Sequence, residues 1–446
     1  MHTAALPTRF RFLVLLLAWA LAAPCARGES MTPISTEVVA TGAGFELHRG
    51  GKPFFVKGVG GSTRLEMVQA LGGNAVRTWG ADDLQRTFIG PDGVERPLLD
   101  HAHTLGLAVA AGFWMEHPRK GFDYADTAQV DAQLKQLAAF VTRYKDHPAV
   151  LVWGIGNEVE IGADAETVLR AMNDAARLVK SIDPNHPTMT VVAEIGDGKA
   201  ELFMRLCPDI DILGINSYGG IPSLPDRLNA IGFNKPYLIT EYGPLGHWET
   251  GHTAWNAPYE QTSAEKAEHL RRGYDHTIAG DPRRCLGGFA FLWGHKQETT
   301  ATWYGMFLKS GEKLSAVDTL ATLWSGAQPE NASPTVASIT IDGDPTALRP
   351  NQTFSAGASA QDAEGDDLRF EWRVRSESTD RRLGGDAERA PKEHEGLVTP
   401  AEPGAATVRA PGEPGAYRLF LYVYDGRGGA ATANIPFRVV EESGAP

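Results

Sequence analysis

At 446 residues, 42% hydrophobic and 22% charged, the chain has the composition of a folded protein with one large domain and an appendage. A formal net charge of −13 argues against nucleic acid or an anionic membrane surface as the main partner, because both reward clustered Lys and Arg. The first predicted element is a secretory leader. Arg9 and Arg11 precede the apolar residues 12–23, and small residues including Ala26 and Gly28 come next, which is the order of a signal peptide. The apolar run is shorter than the ~20 residues a membrane-spanning helix needs. Residues 1–28 are therefore expected to be removed on export, leaving a secreted or periplasmic protein with no membrane anchor. Cys25 leaves with them, and for Cys207 and Cys285 a disulfide and two buried thiols stay equally open.

Residues 41–52 carry a Gly-Gly turn and predict a hairpin capping the bottom of a barrel. Eight short apolar runs then alternate with amphipathic stretches: 54–57, 75–79, 107–111, 150–153, 189–192, 210–215, 237–240 and 288–293. Between them, Val130, Leu134, Leu137, Phe140 and Tyr144 recur at helical spacing, as do Val168, Met172, Leu178 and Ile182. Eight strand-helix units across residues 36–325 predict an α/β fold, a (β/α)8 TIM barrel. Gly58-Val59-Gly60-Gly61 fits neither nucleotide fingerprint and no metal-ligand spacing such as His-x-x-x-His occurs, so neither a cofactor nor a catalytic metal is expected.

A Gly, Pro, Ser and Asn cluster at 326–334 reads as a linker. Residues 335–441 read as all-β, with six alternating segments broken by Gly, Pro and Asp turns, the pattern of a small sandwich. Asp362-Ala-Glu-Gly-Asp366 ahead of Leu368-Arg-Phe-Glu-Trp372, and Pro414-Gly-Ala-Tyr417 ahead of Val423-Tyr-Asp425-Gly426, resemble immunoglobulin-like modules of the polycystic-kidney-disease type. Asp362, Glu364, Asp366 and Asp425 could ligate calcium weakly, although turn-capping explains them as well. The charged, Gly-containing stretch 376–397 is expected to be a mobile loop.

Barrels of this kind place their chemistry at the C-terminal ends of the strands. The fourth run ends Trp153-Gly-Ile-Gly-Asn157-Glu158 and the seventh ends Thr240-Glu241-Tyr242-Gly243. A carboxylate straight after an apolar strand is costly to bury without a partner or a task. Glycoside hydrolysis needs two such groups, one to protonate the departing oxygen and one to attack or to activate water.

Residues 53–325 resemble the catalytic barrel of glycoside hydrolase clan A, most closely that of family 2. The resemblance rests on Val56-Lys57-Gly58-Val59, Gly73-Asn74-Ala75-Val76-Arg77-Thr78, His147-Pro148-Ala149-Val150 leading to Asn157-Glu158, and Thr240-Glu241-Tyr242-Gly243. It implies a retaining enzyme with Glu158 as acid/base and Glu241 as nucleophile. Asn157 would bind the sugar 2-hydroxyl, Arg77 would hold Glu241, Tyr218 would set its hydroxyl near the nucleophile, and Trp293 would floor the sugar subsite. Family 2 enzymes usually carry β-sandwich domains ahead of the barrel, for which there is no room between the leader and Thr36.

Trp79 and Trp114 end the second and third runs, and Trp248, Trp255, Tyr259, Trp303 and Tyr304 give an aromatic rim suited to pyranose faces. Glu116 and His117 could touch a sugar or modulate Glu158, while His295, Lys296, Gln297 and Glu298 form a polar loop without an assigned role. The expected partner is an oligo- or polysaccharide with β-linkages, such as a β-glucan. Transfer to a sugar hydroxyl instead of water, or a non-catalytic carbohydrate-binding role, are the competing readings.

Overall fold

The computed structural model describes residues 31–441; the expected leader and Cys25 lie outside the described residues. Eight parallel strands close a ring in chain order, strand eight pairing with strand one from Gly287↔Val56 to Ala290↔Val59. Strand one is Val56–Gly60, two Ala75–Arg77, three Ala108–Phe113, four Val150–Ile155, five Thr188–Ala193, six Ile212–Asn216, seven Tyr237–Tyr242 and eight Cys285–Ala290. Strands three, four, seven and eight are buried along their whole length. A parallel strand with helices outside and a packed lumen inside has no polar face, which is why these segments read as unbroken apolar runs.

Two boundaries moved from expectation. Strand one begins at Val56 because Phe54 pairs instead with the N-terminal hairpin, its N–H donating to Leu47 O at 2.7 Å. Strand eight ends at Ala290 because the regular ladder breaks there: Leu292 N–H donates out to Tyr304 O before Trp293 N–H returns to Gly60 O of strand one. Apolarity there reports burial and not strand. The helices follow their periodicity. Thr127–Tyr144 is capped by Asp126, which accepts from the N–H groups of Ala128 and Gln129, and Ala165–Ile182 by Asp164 through Thr167 N–H.

The hairpin of Thr36–Thr41 and Gly44–Arg49, extended by Lys52–Pro53, closes the bottom of the barrel. Leu47 packs into the lumen beside Val56, Ala108, Leu151 and Phe289. Thr36 N–H donates to Asn185 O, Phe45 N–H to Arg283 O and the Arg49 guanidinium to Pro148 O, all just ahead of barrel strands.

The C-terminal region forms two antiparallel sheets. One orders Thr335–Ile341, Thr353–Gln361, Ala405–Arg409 and Val398–Pro400; the other orders Arg369–Ser376, Gly415–Tyr424 and Ala430–Val439. Val336, Phe354, Trp372, Leu419, Leu421 and Phe437 share the core between them, the arrangement of a small sandwich. Gly415–Tyr424 is apolar on both faces for a second reason: Phe420, Tyr422 and Tyr424, which alternate with Leu419, Leu421 and Val423, pack on Leu308 and Leu314 of the barrel. The buried Arg418 guanidinium donates across the same contact to Pro258 O at 2.8 Å and to Glu377. The 326–334 segment is pinned as well, since Lys313 donates to Asn331 O and accepts at its own carbonyl from Ser333 Oγ.

Three expectations need correction or resolution. Residues 376–397 are not a free loop: Asp386, Gly385 and Glu388 bind the barrel mouth. Asp425 does not join the other acidic residues, because its Oδ1 accepts from Arg427 and Gly429 N–H and its Oδ2 from Asn331 Nδ2, making it a turn cap. Cys207 and Cys285 are separate buried thiols, each pushed up to about 12 by burial.

Candidate active site

The backbone after strand four is shaped to deliver Glu158. Gly156 has φ +75°, and a Cβ there would lie 2.7 Å from Val159 Cγ2, so only glycine makes the turn. Glu158 itself sits at φ +52°, an unusual conformation for a non-glycine residue, held because its N–H donates to Val191 O of strand five at 2.9 Å. Glu241 lies within strand seven and is 6% exposed. Its Oε1 accepts from Arg77 Nη1 and Trp79 Nε1, both at 2.9 Å, and its Oε2 from the Tyr218 hydroxyl at 2.8 Å.

Arg77 serves three acceptors with one planar fork. Nη1 also donates to Thr240 O at 2.9 Å, and Nη2 donates to Asn157 Oδ1 at 2.6 Å. Asn157 Oδ1 further accepts from Asn216 Nδ2 at 3.2 Å, which turns the Asn157 amide nitrogen away from both donors. Asn216 Nδ2 donates to Glu158 Oε1 at 2.8 Å, and Asn216 Oδ1 accepts from Thr240 Oγ1 at 2.7 Å.

The two carboxyls therefore sit in opposite settings. Glu241 is ion-paired and fully hydrogen-bonded. Glu158 is raised to about 8, first by burial and then by the charge of Glu241. Burial and the Glu241 charge also push the Tyr218 hydroxyl well up, so it remains a donor. This division, one carboxyl desolvated so that its protonated form is favoured and the other paired with a guanidinium, suits a site where one group gives a proton while the other supports positive charge or attacks.

Both carboxyls open into one cavity of about 600 Å³, walled by Trp79, Trp114, Tyr218, Phe291, Leu292 and Tyr304, with Trp248 at the rim, 58% exposed. Asn157, Asn216, Lys296 and Glu298 also line it. Trp293 does not: it is 1% exposed, donates Nε1–H to Thr63 O and packs edge-on against Phe307, and Phe291 and Leu292 face the cavity in its place. Trp303 lies buried behind Tyr304, and Trp255, Tyr259, Gln297 and the exposed Glu116 do not line the cavity. His295 lines a separate groove with Trp293. His117 is buried under Trp114, ring centroids 4.8 Å apart, and is lowered to about 4 by burial and then by the charge of Arg119.

Sequence reasoning left Asn216 and Glu194 unassigned. Glu194 follows strand five directly, the signal that singled out Glu158 and Glu241, and lines the cavity clamped by Arg227 at 3.0 Å and by Ser217 at 2.6 Å. Asn216 ends strand six, the position from which a side chain reaches the barrel mouth. Away from the barrel, Asp362, Glu364 and Asp366 bring carboxylate oxygens within 4.8 Å of one another. No helix among the described residues is long and apolar enough to cross a membrane.

Fold and site together define a (β/α)8-barrel protein with a paired-carboxylate cavity at the C-terminal ends of its strands. Residues 65–266 match the family described as glycosyl hydrolases family 2, TIM barrel domain. Among curated proteins, the chain is similar to mannan endo-1,4-beta-mannosidase F of Aspergillus clavatus, 25% identical over 188 residues, covering 40% of this chain and 38% of that protein. A putative mannan endo-1,4-beta-mannosidase 4 of Arabidopsis thaliana is 44% identical over 45 residues, 10% of this chain and 11% of that one. The chain thus spans well under half the length of the curated relatives it matches. Solved structures similar to it include a putative beta-galactosidase from Bacteroides fragilis, with TM-score 0.48, 16% identity and coverage of 92% of this chain and 58% of that one. A Faecalibacterium prausnitzii beta-glucuronidase has TM-score 0.49 and 17% identity, covering 65% and 52%.

Proposed function

We propose that the protein is a retaining glycoside hydrolase that cleaves β-linked glycans by double displacement. The observation that carries this reading is the presence of Glu158 and Glu241 in one cavity in opposite environments, the first desolvated and bonded to Asn216, the second ion-paired with Arg77. Glu158 protonates the glycosidic oxygen as the bond to the anomeric carbon breaks, and Glu241 forms a covalent ester with that carbon. Glu158, now ionised, takes a proton from water as the water displaces Glu241. Arg77, Trp79 and Tyr218 fix the attacking carboxylate. Asn157 presents its amide nitrogen to the sugar 2-hydroxyl, since its oxygen is occupied by Arg77 and Asn216.

The relatives' names direct the substrate search to β-1,4-mannan beside β-glucans. Export through residues 1–28 belongs to the same reading, as does an immunoglobulin-like assignment of the C-terminal sandwich. The test is a polysaccharide screen with NMR of the first product's anomeric proton. Retained configuration is expected, and initial inversion sinks the mechanism. Products longer than the substrate identify transfer to sugar in place of water.

A further inference from the structure

The cavity is not built by the barrel alone. Residues 382–386, from the connection between sandwich strands Arg369–Ser376 and Val398–Pro400, form part of its lining. We propose that this segment is a substrate-binding wall, with Leu383 contacting the sugar unit next to the one whose bond is cleaved.

The segment is fastened through residues 385–388, at its C-terminal side, to two different barrel loops. Asp386 accepts from Arg119 Nη1 and Lys120 Nζ, both at 2.8 Å, in the loop after strand three. Gly385 O accepts from Lys296 Nζ at 2.8 Å, and the Glu388 carboxylate from Thr299 N–H at 2.6 Å, both in the loop after strand eight. Gly384 and Gly385 have φ +61° and +69°, and a Cβ on them would come within 2.7 Å of the Arg119 guanidinium and 2.9 Å of Lys296 Nζ. The diglycine therefore lets the backbone lie flat against these cations.

This bracing holds Leu383 at the cavity, 71% exposed and outside the buried apolar clusters of the described residues. An apolar side chain lining the same cavity as Trp114 and Trp79 suits the C–H face of a pyranose, while the braced segment limits what the cleft admits. The sandwich is thus a specificity element acting at the cavity and not a remote appendage.

The proposal rests on the glycosidase reading, and the experiment separates the two. Wild type, Leu383→Asp, Leu383→Met and Asp386→Ala, in the full chain, are assayed on β-1,4-mannotetraose, cellotetraose and laminaritetraose and on the matching 4-nitrophenyl β-glycosides. For the tetrasaccharide that wild type cleaves, the ratio of kcat/KM on it to kcat/KM on the aryl glycoside should fall about tenfold in Leu383→Asp and Asp386→Ala, mainly through KM. Leu383→Met should restore it, and circular dichroism melting separates this from misfolding. Unchanged ratios in folded variants overturn the wall. If wild type cleaves none of the substrates, the glycosidase reading fails and calorimetry decides: tetrasaccharide binding lost in Leu383→Asp upholds the wall, and no binding, or binding equal in both, overturns it.

Discussion

Asn216 donates its side-chain amide to Glu158 Oε1 at 2.8 Å, and this bond counters the burial that raises the Glu158 carboxyl. The same side chain, steered by Thr240 Oγ1, reaches Asn157. It therefore sets both the proton affinity of the acid and the orientation of the sugar-binding amide. Asn216→Ala should raise the Glu158 pKa further and move the basic limb of the kcat/KM profile to higher pH. The rate at the optimum should fall about tenfold to a hundredfold. A pH-rate series on the cleaved substrate checks it, and a basic limb that stays in place would remove Asn216 from this role.

Glu158→Gln should separate activity from stability. The wild-type carboxyl is raised from 4.5 to about 8 in the folded chain. Between those values the unfolded chain has released its proton while the folded chain keeps it, so stability falls as pH rises through that window. The glutamine has no proton to lose and keeps an oxygen for Asn216. Relative to wild type, Glu158→Gln should gain on the order of 3–5 kcal/mol at pH 9 and close to nothing at pH 4. Denaturant unfolding at both pH values measures this; an equal difference at each would contradict the raised carboxyl.

Arg77→Lys tests whether charge alone suffices. The guanidinium reaches Thr240 O, Glu241 and Asn157 together, whereas a single ammonium cannot span three acceptors in one plane. Activity should drop by about a hundredfold or more, with kcat falling further than KM rises, because Glu241 loses its orientation. Steady-state kinetics on an aryl glycoside separate the two parameters, and a change confined to KM would assign Arg77 to substrate binding instead.

The barrel was legible because each buried parallel strand leaves an unbroken apolar run and each helix a 3.6-residue beat. Glu158 and Glu241 were legible because a carboxyl after such a run needs a reason. Trp293 was misplaced for the converse cause: its apolar neighbours signalled burial, but the regular ladder breaks after Ala290, so Phe291 and Leu292 face the cavity. Residues 376–397 looked unstructured because their partners, Arg119, Lys296 and Thr299, lie 89 to 267 positions away in the chain, beyond any local pattern. Gly415–Tyr424 carried an unused clue, since a sandwich strand with Phe420, Tyr422 and Tyr424 on its outer face demands a second surface to cover them.

That covered face is anchored by Glu260. Its carboxylate accepts from Lys266 Nζ at 2.5 Å, from Thr300 Oγ1 at 2.7 Å and Thr302 Oγ1 at 2.8 Å in the loop after strand eight, and from Asn434 Nδ2 of the sandwich at 2.7 Å. Lys266→Met leaves this nearly inaccessible anion without its ion-pair partner, with only the more distant charge of Arg418 to offset it, and should cost about 2–4 kcal/mol, below the ~3–5 kcal/mol of a wholly unpaired buried charge. Adding Glu260→Gln removes the charge while keeping an oxygen for the two threonines and Asn434. The double variant should therefore be more stable than Lys266→Met alone. Because Thr300 and Thr302 belong to the loop that carries Lys296 and Thr299, the single variant should also weaken the grip on residues 385–388 and lower activity on longer substrates. Thermal unfolding of the single and double variants, with tetrasaccharide kinetics on each, gives the comparison. A double variant no more stable than Lys266→Met would show that the ion pair is not what holds this junction.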